Sequence, residues 1–106
     1  MNYTNRRNKT IIAFSPGEVI FHEGGRGEKM FIIKSGEVAL SKKIDEMEVP
    51  LLNLKAGAVF GEMALVDNQP RSATARAISE VTCLSMSKLV FQHKLTKEVP
   101  QWMQLL

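Results

Sequence analysis

The chain has 106 residues, of which 44% are hydrophobic and 24% are charged, a composition that supports a folded core and excludes an intrinsically disordered chain. The length is well below the ~150 residues used as a prior for one domain, so we expect a single domain. The net charge of +3 comes from basic residues scattered along the sequence, which excludes a nucleic-acid-binding stripe.

Several classes of protein are excluded by features that the sequence lacks. No apolar run approaches the ~18 residues of a membrane span, and the start of the chain is too polar for a signal peptide. Cys83 is the single cysteine, which excludes an internal disulfide and a cysteine-based zinc site. We therefore predict a soluble, cytoplasmic domain without direct membrane contact, in which Cys83 is a small core residue.

Short runs of strand-forming residues follow a polar N-terminal arm, residues 1–10, and alternate with turn signals that contain Gly17, Gly36 and Gly57. The predicted strands are Thr10–Phe14, Val19–His22, Met30–Lys34, Glu37–Lys42, Val49–Leu54, Ala58–Phe60, Ala73–Ala77 and Val81–Met86. The predicted core residues are Phe14, Phe21, Phe31, Phe60, Leu52 and Leu54. The charged segment Ser41–Glu48 is predicted to be a solvated hairpin tip. Eight short strands joined by tight turns predict a sandwich or a barrel.

The pattern changes to helical near the end of the chain. Ser87 can cap a helix that places Phe91 and Leu95 on its core face, and Pro100 suits the first turn of a second short helix. The second helix has barely begun when the sequence stops, which we interpret as a cut edge. The apolar residues at this edge are Trp102, Leu105 and Leu106.

The segment between two predicted strands, residues 60–74, has the features of an anion site. Gly61 lets the backbone approach a ligand, and the next four residues favour a helical turn whose free N–H groups would face an anion. Arg71 follows a proline and can present its planar guanidinium to a phosphate. Glu62 would repel that phosphate unless it accepts hydrogen bonds from hydroxyls of the same ligand. The pair therefore indicates a nucleotide, with Glu62 on the ribose and Arg71 on the phosphate.

This segment resembles the phosphate-binding cassette of the cyclic nucleotide-binding domain family, which includes the sensor domains of the catabolite activator protein and of protein kinase A regulatory subunits. The matching stretches are Phe60-Gly61-Glu62-Met63-Ala64-Leu65 and Arg71-Ser72-Ala73-Thr74, and upstream Phe14 to Phe21, Gly24 to Met30 and Phe31 to Val38. The resemblance covers residues 11–106. It implies an eight-stranded antiparallel jelly-roll-like β-barrel with a short phosphate-cassette helix and C-terminal helices.

Carried over residue by residue, the resemblance implies that Glu62 binds the ribose 2′-hydroxyl and Arg71 the cyclic phosphate. Ser72 would give its N–H and its hydroxyl to the phosphate or to the purine. The backbone groups expected to line the same site are those of Gly61, Met63 and Ala64. The implied ligand is a purine 3′,5′-cyclic monophosphate, cAMP more readily than cGMP, bound as a regulatory ligand without catalysis, metal or other cofactor.

The family usually carries a longer lid helix after the helix at Ser87, and the sequence stops before it. Self-association into a homodimer would cover the apolar edge left there. The output module that such a sensor drives would be attached to this segment or supplied by a partner. No nucleic acid is expected to bind to this chain alone.

Three other interpretations stay open or are disfavoured. A cyclic-nucleotide-binding-like fold that has lost its ligand would act as an interaction module. A small cupin-type metalloenzyme is disfavoured because His22 and His93 are the only histidines and cannot form a multi-histidine site. Glu62 and Arg71 could instead form a structural salt bridge across a turn.

Overall fold

The computed structural model describes residues 2–4, 9–62 and 69–87, with side chains in 10–62 and 69–87. Nine strands lie in these ranges: β1 Asn2–Thr4, β2 Lys9–Phe14, β3 Val19–Phe21, β4 Lys29–Ser35, β5 Val38–Ile44, β6 Met47–Leu54, β7 Val59–Phe60, β8 Thr74–Ala77 and β9 Val81–Ser87. The predicted mainly β fold is confirmed, and each of the eight predicted strands has a counterpart within two residues at either end.

The strands form two antiparallel sheets. One sheet has five strands in the order β1-β2-β9-β4-β7, and the other has four in the order β3-β8-β5-β6. Chain neighbours are paired in the hairpins β1–β2 and β5–β6, whereas β4 and β9 pair across a long stretch of sequence. The predicted cassette helix, residues 62–65, falls outside the described residues except for Glu62, and the predicted C-terminal helices fall outside them from residue 88 onward.

One strand was not predicted from the sequence. Residues 1–10 were expected to form a polar arm, but Asn2–Thr4 pairs with β2, with Tyr3 opposite Ile11, and Lys9 and Thr10 belong to β2 itself. Polar residues form this strand because an antiparallel pair at the edge of a sheet is held by backbone hydrogen bonds. The local composition of these residues therefore failed to indicate it.

The charged hairpin between β5 and β6 is tighter than predicted. Its two turn residues, Asp45 and Glu46, have φ of 51° and 69°, as in the type I′ turns that close two-residue hairpins. Residues 42–48 are exposed, as predicted. Ser41 is buried, however, and its hydroxyl donates a 2.7 Å hydrogen bond to a carboxylate oxygen of Glu48. The solvated tip therefore begins one residue later than predicted.

The core lies between the inner faces of the two sheets. Small side chains on β8 face larger ones on the other sheet, so that both layers fill the space between them. The buried residues of this cluster are Phe31, Ile33, Val38, Phe60, Ala75, Ala77, Val81 and Cys83. The prediction of a core cysteine is confirmed, and Phe31 and Phe60 are core residues as predicted.

The predicted turn glycines Gly17, Gly36 and Gly57 have φ of +89°, +91° and +93°. Gly36 joins β4 to β5, and a Cβ at this position would overlap the carbonyl oxygen of Glu80. The turn requires glycine both for its backbone conformation and for this close approach. Within the described ranges, no helix is long and apolar enough to cross a membrane.

Candidate functional site

A pocket of about 500 Å³ lies against the four-stranded sheet, at the place where the segment before residue 62 meets the segment after residue 69. One wall is apolar and includes Leu40, Leu52, Leu54 and Val59. The rest of the lining includes Gly61 and the polar residues Glu62, Gln69, Arg71 and Ser72. The volume is within the range of ~300–1,000 Å³ typical of small-molecule sites.

Two leucines of this wall were predicted to be core residues. Leu52 is 51% exposed, and Leu54 is only partly buried. Both leucines lie on β6, an edge strand of the four-stranded sheet, and line the pocket. Hydrophobicity indicated burial for them because it does not distinguish a core contact from a pocket wall.

Arg71 is 6% exposed and is held by backbone carbonyls. Its Nη2 donates a 2.6 Å hydrogen bond to the carbonyl oxygen of Lys29, and its Nη1 donates a 2.8 Å bond to that of Gly61. Among the described residues, Arg71 forms no ion pair with Glu62 or with any other carboxylate. The structural salt bridge considered above is therefore absent from this part of the chain.

The charge of Arg71 is buried and incompletely hydrogen-bonded. Burial lowers the pKa of its guanidinium below the ordinary value, but the group stays charged at neutral pH. Its Nε is buried and has no hydrogen-bond acceptor among the described residues. Because buried donors are nearly always paired, this N–H is suited to an acceptor that is not part of the described chain. An anion would satisfy both the free donor and the charge.

The guanidinium lies over an aromatic ring. The Cζ atom of Arg71 is 4.1 Å from the centroid of the Phe21 ring, within the range of a cation–π contact. Phe21 also packs near Phe31 and Phe60, with centroid distances of 6.0 and 5.8 Å. The arginine is thus backed by the aromatic part of the core.

Gly61 is required next to this arginine for a steric reason. Its φ is +83°, and a Cβ at this position would lie 2.6 Å from Nη1 of Arg71 and 3.3 Å from Cε2 of Phe21. The sequence predicted that Gly61 lets the backbone approach a ligand. The structure shows in addition that it lets the backbone approach the arginine.

The glycine-rich loop after β3 holds the backbone of Arg71. The amide of Gly24 donates a 2.8 Å hydrogen bond to the carbonyl of Arg71, and the amide of Arg71 donates a 2.9 Å bond to the carbonyl of Gly25. With the Lys29 carbonyl on its side chain, Arg71 is therefore fixed at both backbone and guanidinium by residues 24–29.

The other predicted site residues are partly described. Gly61, Glu62, Arg71 and Ser72 all line the one pocket, with Glu62 half-buried and Ser72 exposed. The remaining two predicted residues, Met63 and Ala64, lie outside the described residues. The individual roles given to these residues stay predictions.

Metal binding receives no support from the described ranges. They hold no group of three or more His, Cys, Asp or Glu residues placed to bind a metal ion. His22 is exposed, and His93 lies outside these ranges. The arrangement in the pocket is suited to binding an anion.

Two groups that contact Arg71, the Phe21 ring and the Lys29 carbonyl, were not predicted from the sequence as part of the site. Phe21 was interpreted only as a core residue, and the carbonyl of Lys29 has no sequence signal because any residue carries one. The position of Phe21 in the matched upstream stretch could have indicated proximity to the site, but its contact with Arg71 crosses fifty residues of sequence and requires the fold.

The chain is similar in sequence to known proteins. The family description "Cyclic nucleotide-binding domain" matches residues 11–98. The chain is 40% identical over 82 residues to the cAMP-dependent protein kinase regulatory subunit of Hypocrea atroviridis, covering 77% of this chain and 17% of that protein. It is also 40% identical over 78 residues to the cGMP-dependent protein kinase of Eimeria tenella, covering 74% of this chain and 7% of that protein.

The fold is similar to that of solved structures. The cAMP-bound form of the EAL enzyme Bd1971 superposes with a TM-score of 0.80 at 35% sequence identity, over 90% of this chain and 26% of the other. The chain thus spans about a quarter or less of the length of these relatives. The match over residues 11–98 includes strands β3 to β9, most of β2 and the pocket that holds Arg71, and the chain therefore belongs to the cyclic nucleotide-binding domain family.

Proposed function

We propose that this chain is a regulatory sensor domain that binds a purine 3′,5′-cyclic monophosphate and signals to an attached or partner output module. The observation that carries the proposal is the buried Arg71, whose Nε–H has no acceptor among the described residues. A cyclic phosphate carries one negative charge and acceptor oxygens, so it supplies both the counter-charge and the hydrogen-bond acceptor that Arg71 lacks.

The pocket supplies complementary groups for the rest of such a ligand. In the proposal, Glu62 accepts a hydrogen bond from the ribose 2′-hydroxyl, and Ser72 donates to the phosphate or to the purine. The backbone groups of Gly61, Met63 and Ala64 complete the phosphate site. The apolar wall formed by Leu40, Leu52, Leu54 and Val59 is suited to the faces of a purine ring.

The finer parts of the proposal concern the ligand and its setting. Relatives named for cAMP and relatives named for cGMP are both similar to this chain, and within the proposal we keep cAMP as the favoured ligand, as the resemblance of the sequence implied. The chain binds the nucleotide without transforming it, in the cytoplasm, and the two sheets form the two layers of a jelly-roll-like barrel. Self-association into a homodimer is part of the same proposal.

Isothermal titration calorimetry of the purified chain with cAMP and with cGMP tests this proposal. Adenosine serves as a matched ligand without the phosphate. We expect saturable binding of a cyclic nucleotide at one site and much weaker binding of adenosine, because only the nucleotide engages the Arg71 charge. A folded chain that binds neither cyclic nucleotide would contradict the proposal and favour the alternative, a related fold that acts as an interaction module.

A further inference from the structure

We propose that Phe21 is a positioning residue for Arg71: its ring holds the guanidinium in an orientation in which no described residue accepts a hydrogen bond from the Nε–H, so that this donor can reach an anionic ligand. This inference rests on the proposed function in one respect, since the anion is taken to be the cyclic phosphate. The contacts that support it belong to the protein without ligand.

Three contacts together fix the guanidinium. The carbonyl oxygens of Gly61 and Lys29 each take a hydrogen bond from one terminal nitrogen, at 2.8 and 2.6 Å. The Phe21 ring covers the group at 4.1 Å from Cζ. Two in-plane acceptors and a ring against its face leave the planar group little freedom to rotate.

The Phe21 ring differs chemically from a carboxylate, which is the usual partner of a buried arginine. A carboxylate would neutralise the charge and would occupy part of the donor edge. The face of a phenyl ring attracts the cation through its quadrupole but offers no lone pair to an N–H group. Phe21 therefore stabilises the buried charge of Arg71 and leaves both the charge and the Nε–H available to a ligand.

The ring is itself held in place by the core. Phe31 and Phe60 are buried, lie opposite each other in the β4–β7 register and stack with centroids 5.3 Å apart. Phe21 packs beside both of them. The orientation of the guanidinium is thus set by residues of both sheets, because β3 belongs to the four-stranded sheet and β4 and β7 to the five-stranded one.

The test compares Phe21→Leu, which removes the ring, with Phe21→Tyr, which keeps it. Phe14→Leu is the matched control, since it removes a ring that packs against the core but does not line the pocket. Two quantities are measured for each variant at a temperature where it is folded: the NMR resonance of the Arg71 Nε–H without ligand, assigned by its loss in Arg71→Lys, and the affinity for cAMP and cGMP.

In the wild type and in Phe21→Tyr, we expect the Nε–H resonance to be shifted by the ring current and to exchange slowly with water. Phe21→Leu should lose the shift and exchange faster. It should also bind the cyclic nucleotide roughly tenfold more weakly, because the loosened guanidinium must then be ordered when the ligand binds. Phe14→Leu should lower the melting temperature but leave the resonance and the affinity close to those of the wild type.

Two results would overturn the inference: an unchanged Nε–H resonance in Phe21→Leu, or equal losses of affinity in Phe21→Leu and Phe14→Leu. The first would mean that the ring does not orient the arginine, and the second that it acts only through general stability. If the wild type binds no cyclic nucleotide, the proposed function fails, while the resonance of the unliganded protein still decides whether Phe21 positions Arg71.

Discussion

The carbonyl oxygen of Gly61 accepts a 2.8 Å hydrogen bond from Nη1 of Arg71, ten positions later in the chain. The contact requires the absence of a side chain at position 61, where a Cβ would lie 2.6 Å from the same nitrogen. The glycine and the arginine of the cassette are therefore coupled sterically, and a change at one of them displaces the other.

Gly61→Ala should weaken nucleotide binding because its methyl group pushes the guanidinium away from its position. The positive φ adds a backbone cost of about 1–2 kcal/mol for a residue with a Cβ. Gly57→Ala is the matched control, because Gly57 has φ +93° but open space around its Cβ direction. We expect both variants to lose stability in urea denaturation and only Gly61→Ala to lose about tenfold or more in affinity by calorimetry. Equal affinities in the two variants would contradict the coupling.

Arg71→Ala should reduce cyclic nucleotide affinity by about 100-fold or more, because a charge-assisted hydrogen bond and the counter-charge are both lost. Arg71→Lys should restore only part of the affinity, since an ammonium group cannot reproduce the planar guanidinium. Arg76→Ala is the control, because Arg76 also donates to a backbone carbonyl, that of Gly17 at 2.9 Å, but lies outside this pocket. Unchanged affinity in a folded Arg71→Ala variant, checked by circular dichroism, would remove Arg71 from the site.

Glu62→Gln should weaken a ribonucleotide far more than its 2′-deoxy analogue, because only the ribonucleotide has the hydroxyl that donates to this carboxylate. We expect roughly tenfold loss for cAMP and little change for 2′-deoxy-cAMP, in line with a hydrogen bond to a charged group. Glu80→Gln, at an exposed position, controls for the change in net charge. Equal losses for both ligands would show that Glu62 acts on the structure of the cassette instead.

The thiol of Cys83 should react slowly with iodoacetamide at pH 8 in the native chain. Burial raises its pKa from 9.0 to about 11, so only about one molecule in a thousand carries the thiolate at this pH. A folded-state pKa above the unfolded value contributes stability below pH 9 that is lost as the pH rises toward 11. Mass spectrometry of native and urea-unfolded protein should show labelling only after unfolding, and rapid labelling of the native chain would contradict the burial of this residue.

The eight strands from Thr10 onward could be predicted because their cues are local. Short β-rich runs and glycine turns depend on residues close together in sequence, as at Gly36, where the backbone conformation itself demands glycine. The strand Asn2–Thr4 could not be predicted, because it exists only through its pairing with β2. Leu52 was misassigned to the core for a related reason, since the place of β6 at a sheet edge is a property of the fold.

The candidate site likewise has features that the sequence predicts and features that depend on the fold. The sequence by itself determined the chemical groups of the candidate site. A glycine, a glutamate and an arginine at cassette spacing predict a sugar-phosphate site, because hydrogen bonding and charge depend on the identity of the side chains. Only the tertiary structure decided how Arg71 is held, by the Lys29 carbonyl, the Gly61 carbonyl and the Phe21 ring. These contacts join residues up to fifty positions apart, and two of them use backbone atoms that every residue possesses. Their arrangement in space, which leaves the Nε–H without an acceptor among the described residues, therefore follows from the packing of the two sheets.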